Sequence, residues 1–261
     1  MKKRLLSLVL VLVLGLGLSA PAAAAAFSDV PATHWAHDSV AYVVDHGLFS
    51  GTGGSTFSPD STMTRSMLAY VLYRYAGSPA VSRTAKHAAA FSDIPEGAYY
   101  ADAVAWAVEH SIFPKWFLHY DDFFTDAAHT RALFCPDQVT TRADFAIMLY
   151  HFSRNVMHDT FDVKNEYFQY VGNRDLFQDM AQEDIKNALA PIYPDFEMGW
   201  SSTLETANIM ICWAYAQRIM TGTSASTMSP AGSLTRAETA VMLTRYHQKY
   251  GAPDGVQEAA S

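Results

Sequence analysis

Beyond residue 26 the apolar positions fall into short runs of helical spacing, separated by stretches rich in glycine, proline and serine. Residues 36–46, 100–110 and 207–217 carry apolar side chains three or four positions apart, the stripe that one face of a helix buries. A second set follows in Leu68, Val71, Leu72 and Tyr75, in Phe145, Met148, Leu149 and Phe152, and in Val241, Met242, Leu243 and Tyr246. Each member of this set opens on a threonine–arginine pair, Thr64-Arg65, Thr141-Arg142 or Thr235-Arg236, five residues beyond Pro59, Pro136 or Pro230. Threonine suits an N-cap because its hydroxyl accepts from an orphan N–H of the first turn. Glu238 completes a capping box with Thr235; Asp144 is a weaker equivalent in the middle copy, and Met67 cannot act there.

These elements are one helix–loop–helix unit written three times. Phe27-Ser-Asp-Val recurs 64 residues on as Phe91-Ser-Asp-Ile, and less faithfully as Phe177-Gln-Asp-Met. Copy three matches copy one without gaps from Ala36/Ala207 to Tyr75/Tyr246, so Gly51 meets Gly222 and Ser58-Pro59 meets Ser229-Pro230. The predicted units are 27–77, 91–154 with an insertion near 114–133, and 177–249 with an insertion near 181–206. A polar linker (78–90), a connector (155–176) rich in aromatics such as Phe161, Tyr167, Phe168 and Tyr170, and a disordered tail (250–261) complete the division. Ile185 and Leu189 hint at a short helix inside the third copy's insertion. Units this small cannot bury a core alone, so the repetition predicts an all-α repeat fold. Ala69, Ala146 and Ala240 share one position, which predicts close packing of the three second helices.

Residues 1–26 resemble a secretion signal: Lys2, Lys3 and Arg4, an apolar run to Leu18, then an alanine-rich cleavage zone. No later segment is apolar enough to span a membrane. The net charge of −8 becomes more negative when those three cations leave, which argues against nucleic acid as a partner. Two cysteines, Cys135 and Cys212, do not make a disulfide scaffold, and two free thiols are favoured over a bridge.

The arginines are the candidate chemistry. A cation beside a helix N-terminus opposes the macrodipole, so three of them call for something negative nearby. That could be a carboxylate of the fold, among Asp29, Asp93, Asp179, Asp144 and Glu238, or a bound anion on the free amides of the helix end. The Phe-x-Asp starts read as structural, with the aspartate in an Asx-turn or cap. Asp121, Asp122, Asp126 and His129 match no calcium-loop spacing, so no metal or other cofactor is expected. No zinc motif, nucleophile elbow or convincing carboxylate pair points to an enzyme.

Phe-Ser-Asp-Val, an aromatic before the first helix (Trp35, Tyr99), a glycine-containing loop, Phe-Ser-Pro and Thr-Arg-Ala-Glu together resemble the S-layer homology domain. The resemblance implies three repeats in a pseudo-threefold arrangement around a central three-helix bundle. It implies grooves that hold a secondary cell-wall polysaccharide, often pyruvylated and associated with peptidoglycan, on the surface of a bacterial envelope. Arg65, Arg142 and Arg236 would then contact the ligand beside Thr64, Thr141 and Thr235, with Trp35, Tyr99, Gly51 and Gly222 along the grooves. Copy two departs with Pro114-Lys-Trp-Phe-Leu-His in place of the glycine loop, and copy three has Thr206 at the position of Trp35, where Trp200 could substitute. With each arginine taken together with its own copy's loop, Arg236 has the fullest motif, Arg65 an intact loop and Arg142 the most altered surroundings. The alternatives are an interaction module that uses its two insertions on other envelope proteins and, less favoured, a glycan hydrolase.

Overall fold

The computed structural model describes residues 27–82, 91–114, 119–120, 132–160, 177–189 and 200–256. The signal, most of the linker, connector and insertions, and the Asp121–His129 cluster lie outside them. Among the described residues there are seven helices: α1 (His37–Asp45), α2 (Arg65–Tyr75), α3 (Ala101–Glu109), α4 (Arg142–Asn155), α5 (Gln182–Leu189), α6 (Trp200–Ala216) and α7 (Arg236–Tyr250). A two-residue antiparallel ladder, His119–Tyr120 with Ala132–Leu133, closes the insertion of copy two. The fold is all-α.

The first helices end alike. Gly47, Ser111 and Arg218 take left-handed φ of 69°, 52° and 60°, and the next amide bonds back five residues, Leu48 to Val43, Ile112 to Ala107 and Ile219 to Ala214. This is the Schellman stop, adopted at two sites by a residue other than glycine. The third of these helices starts well before the predicted residue 207, so α6 extends into the insertion. The short helix anticipated around Ile185 is α5, with Ile185 buried.

Packing is cyclic. The first helix of each copy lies on the second helix of the copy before it: α3 on α2, α6 on α4, and α1 on α7. The three second helices meet in the middle, where the rings of Tyr75, Phe152 and Tyr246 lie 5.0–6.2 Å apart. Ala69, Ala146 and Ala240 are fully buried, as their shared small size predicted. At the other end, Met63 donates to Leu234, Leu234 to Thr140 and Thr140 to Met63, a closed ring of three backbone hydrogen bonds.

The tail is more ordered than its composition suggests. Tyr250 belongs to α7, Pro253 is buried, and the Tyr75 hydroxyl donates to the Gly251 carbonyl at 2.8 Å. Val256 packs on Gly77, where a Cβ would sit 3.0 Å from it. Copy one supplies the surface that orders this segment, so the sequence of the tail alone could not show it.

Phe152→Ala should cost about 3–5 kcal/mol, read from urea unfolding, because the ring lies in the centre of the bundle where collapse around a cavity is restricted. His151 stands where the other copies have Arg74 and Arg245, and burial, with Arg154 nearby, lowers its pKa to about 4. Between pH ~6.5, the ordinary histidine value, and pH 4 the unfolded chain takes a proton that the folded chain refuses. Stability should therefore fall as the pH drops through that window. His151→Gln should flatten this slope in melts recorded from pH 7 to 4.

Candidate functional site

The threonine–arginine pairs close the seams between copies. Thr64, Thr141 and Thr235 accept from the amides of Met67, Asp144 and Glu238 at 3.4, 3.1 and 3.2 Å. Asp144 and Glu238 both return the bond, so copy two has a complete capping box as well as copy three. The remaining first-turn amides reach the next copy. Arg65 and Ser66 donate to Gln138 and Pro136, Arg142 and Ala143 to Gly232 and Pro230, and Arg236 and Ala237 to Ser61 and Pro59. The expectation of free amides awaiting a ligand carboxylate is thereby overturned: the fold itself has satisfied those donors.

The guanidinium groups continue the same contact. Arg236 donates from Nε to the Phe57 carbonyl and from Nη2 to that of Ser50, both at 2.8 Å, and lies 4.6 Å from the Phe57 ring centroid. Arg142 repeats this with Met228 at 2.8 Å and Thr221 at 2.5 Å. Arg65 is turned differently. Its Nη1 donates to Phe134 at 2.7 Å and its Nη2 to the side-chain oxygen of Gln138 at 2.6 Å. Arg65, Arg142 and Arg236 are 3%, 7% and 7% exposed. Among the described residues, Arg142 and Arg236 have no carboxylate within ion-pairing distance, and their Nη1 atoms make no hydrogen bond. Burial lowers the pKa of both; the charges of Glu238 and Asp179 oppose this at Arg142, and Tyr99 and Asp29 oppose it at Arg236. Guanidinium stays charged at neutral pH all the same.

The carboxylate alternative is corrected in kind. Asp29 accepts from the amides of Phe57 and Ser58, Asp93 from Phe134 and Cys135, and Asp179 from Met228 and Ser229, at 2.6–3.2 Å. Ser58, Cys135 and Ser229 have φ of 58°, 55° and 53°, so two successive amides form a nest around each carboxylate. At Asp29, burial pushes the pKa up, but the hydrogen bonds from Phe57 and Ser58 and the Arg236 charge outweigh it and hold the group below its ordinary value. The residue whose amide meets the aspartate, Phe57, Phe134 or Met228, gives its carbonyl to the arginine of the preceding copy. Carboxylate and guanidinium are thus joined through a single residue instead of touching.

Gly51 and Gly222 have a steric reason. A Cβ on Gly51 would stand 2.7 Å from the Phe27 ring, and one on Gly222 would stand 2.8 Å from that of Phe177. Trp35 and Tyr99 are 64% and 61% exposed, on the surface instead of in the core. Trp35 stacks on His34 at 5.7 Å, and Tyr99 meets Tyr70 of the neighbouring copy edge-on at 5.2 Å. Thr206 and Trp200 lie on α6, whose first turns have no described side chains. Neither cysteine is in a disulfide, and Cys212 is buried while Cys135 is only half so. The acceptors on the opposite side of each seam were not anticipated; the constant proline spacing ahead of each threonine was their trace in the sequence.

The S-layer homology domain matches residues 26–66 and 207–240, the faithful copies one and three. The chain is 26% identical to an S-layer protein of Bacillus licheniformis over 88% of its own length and 20% of the relative's. It is 25% identical to S-layer protein EA1 of Bacillus anthracis, over 89% of this chain and 21% of that one. A 49-residue stretch, 19% of this chain and 11% of the relative, is 39% identical to a cellulosome-anchoring protein of Acetivibrio thermocellus. The chain thus carries two matches to the S-layer homology domain, and it spans about a fifth of the length of these S-layer proteins. No described helix is long and apolar enough to cross a membrane.

Arg142→Met should unfold at lower urea, losing about 2–4 kcal/mol, because it strands the Met228 and Thr221 carbonyls at ~1–3 kcal/mol each. An equal loss in Arg142→Lys would show that the fork shape of the side chain, not its charge, holds the seam.

Proposed function

We propose that the chain is a secreted cell-wall anchoring module, its three copies in pseudo-threefold arrangement, that attaches without covalent bonds to an anionic secondary cell-wall polysaccharide. The observation that carries this reading is the pair of buried guanidiniums, Arg142 and Arg236, each with one terminal nitrogen uncommitted and no carboxylate partner among the described residues. A carboxylate on the polymer, such as a pyruvate ketal, would supply the missing negative charge in a short charge-assisted hydrogen bond. Exposed rings are flat apolar faces on which a sugar can lie, and Trp35 stands at the start of α1, the helix that packs on α7 of Arg236. The relatives' names, S-layer protein and cellulosome-anchoring protein, agree with attachment at a bacterial surface.

The anchoring reading ranks the seams by the loop each arginine meets. Arg236 meets the loop of copy one with Gly51, and Arg142 meets that of copy three with Gly222. These are the two seams expected to hold the polymer.

Trp35→Ala should leave the melting temperature unchanged, since the side chain is largely in solvent. Retention of the mature protein on polymer-bearing sacculi should fall about tenfold, equivalent to ~1.4 kcal/mol. Equal sedimentation of the unaltered protein with sacculi stripped of their polymer would refute the reading.

A further inference from the structure

The seam between copies one and two differs from the other two in what meets the arginine. Copy two has Pro114 where the others have Ser50 and Thr221, the residues whose carbonyls receive Nη2 of Arg236 and Arg142. Nη2 of Arg65 instead meets the Oε1 of Gln138, and its Nη1, rather than Nε, meets the Phe134 carbonyl. Gln138 occupies the repeat position of Ser61 and Gly232, neither of which has a side chain able to reach as far. With Nη1 and Nη2 both engaged, Arg65 lacks the spare terminal nitrogen that Arg142 and Arg236 keep among the described residues.

We propose that Gln138 is a resident occupant of this seam: by taking Nη2 it turns the guanidinium of Arg65 so that Nη1, the nitrogen an oxyanion would take at the other two seams, is spent on the Phe134 carbonyl. Resting on the anion-binding reading above, this closes the Arg65 seam to the polymer while those of Arg142 and Arg236 stay open. The physical reason is effective concentration. Gln138 is tied to the same structure that holds Arg65, since its backbone carbonyl accepts from the Arg65 amide at 2.8 Å. A ligand must undo this hold before Nη1 is released to it, and the Gln138 side chain pays almost no ordering entropy to return. Gln138 thereby sets the number of binding seams at two.

The test is calorimetric titration of the mature protein with a soluble 4,6-O-pyruvylated hexoside. Gln138→Ser, which installs the residue type of Ser61, and Gln138→Gly, which installs that of Gly232, are measured beside it after melts show that they fold. The expected result is two equivalents bound by the unaltered chain and three by the variants. Three equivalents on the unaltered chain, or two on folded variants, would overturn the role of Gln138 while leaving the anion-binding reading in place. No binding by any form would remove that reading and this proposal with it.

Discussion

A helix begins with amides that have no acceptor inside the helix, and in this chain the acceptors for each central helix belong to another copy. Arg65, Arg142 and Arg236 and the residues after them donate to the turn behind Pro136, Pro230 and Pro59. The same turns take the guanidinium groups on their carbonyls. A single copy would therefore leave several first-turn donors and one guanidinium to water instead of to their protein acceptors. This obligation, added to the apolar faces that a lone unit cannot cover, makes the three copies one folding unit. The ring through Met63, Leu234 and Thr140 closes it, since copy three returns to copy one.

The arginine has two edges in this arrangement. At Arg142 and Arg236, Nε and Nη2 hold the neighbouring loop together, while Nη1 is left over among the described residues. A structural cation with one spare donor places a positive charge where two copies meet, in a protein whose net charge is negative. The anion proposed for this site would be held by local hydrogen bonding, because the overall field repels it. On that proposal recognition is tied to assembly, since a ligand on Nη1 would touch two copies at once.

The aspartates of the opening motif work from the other side. Each draws two successive amides into a nest, and the left-handed turn at Ser58, Cys135 or Ser229 that this requires aims the preceding carbonyl at the arginine. Left-handed backbone at a residue with a Cβ costs ~1–2 kcal/mol, and the carboxylate's hydrogen bonds offset it. Motif residues far apart in sequence thus meet through one turn. Copy two keeps this relay although its loop has changed, which is why its seam closes despite the insertion.

Much of this was legible in the residues. Helical spacing placed the two helices of each copy, the threonines marked the starts of α2, α4 and α7, and three alanines at one position foretold the close approach of those helices. These are local signals, set by backbone propensity and by which face must leave water. What only the tertiary structure decided was which copy faces which. In sequence, Arg65 stands beside the glycine loop of its own repeat; in the fold it meets the altered loop of copy two, and Arg142 meets the intact loop of copy three. The ranking of the arginines changes accordingly. Repetition makes the three copies equivalent, so no local feature can say whether a helix end is completed by its own loop or a neighbour's. That choice follows from the cyclic packing of whole helices, in which the first-turn donors of α2, α4 and α7 find acceptors in the next copy.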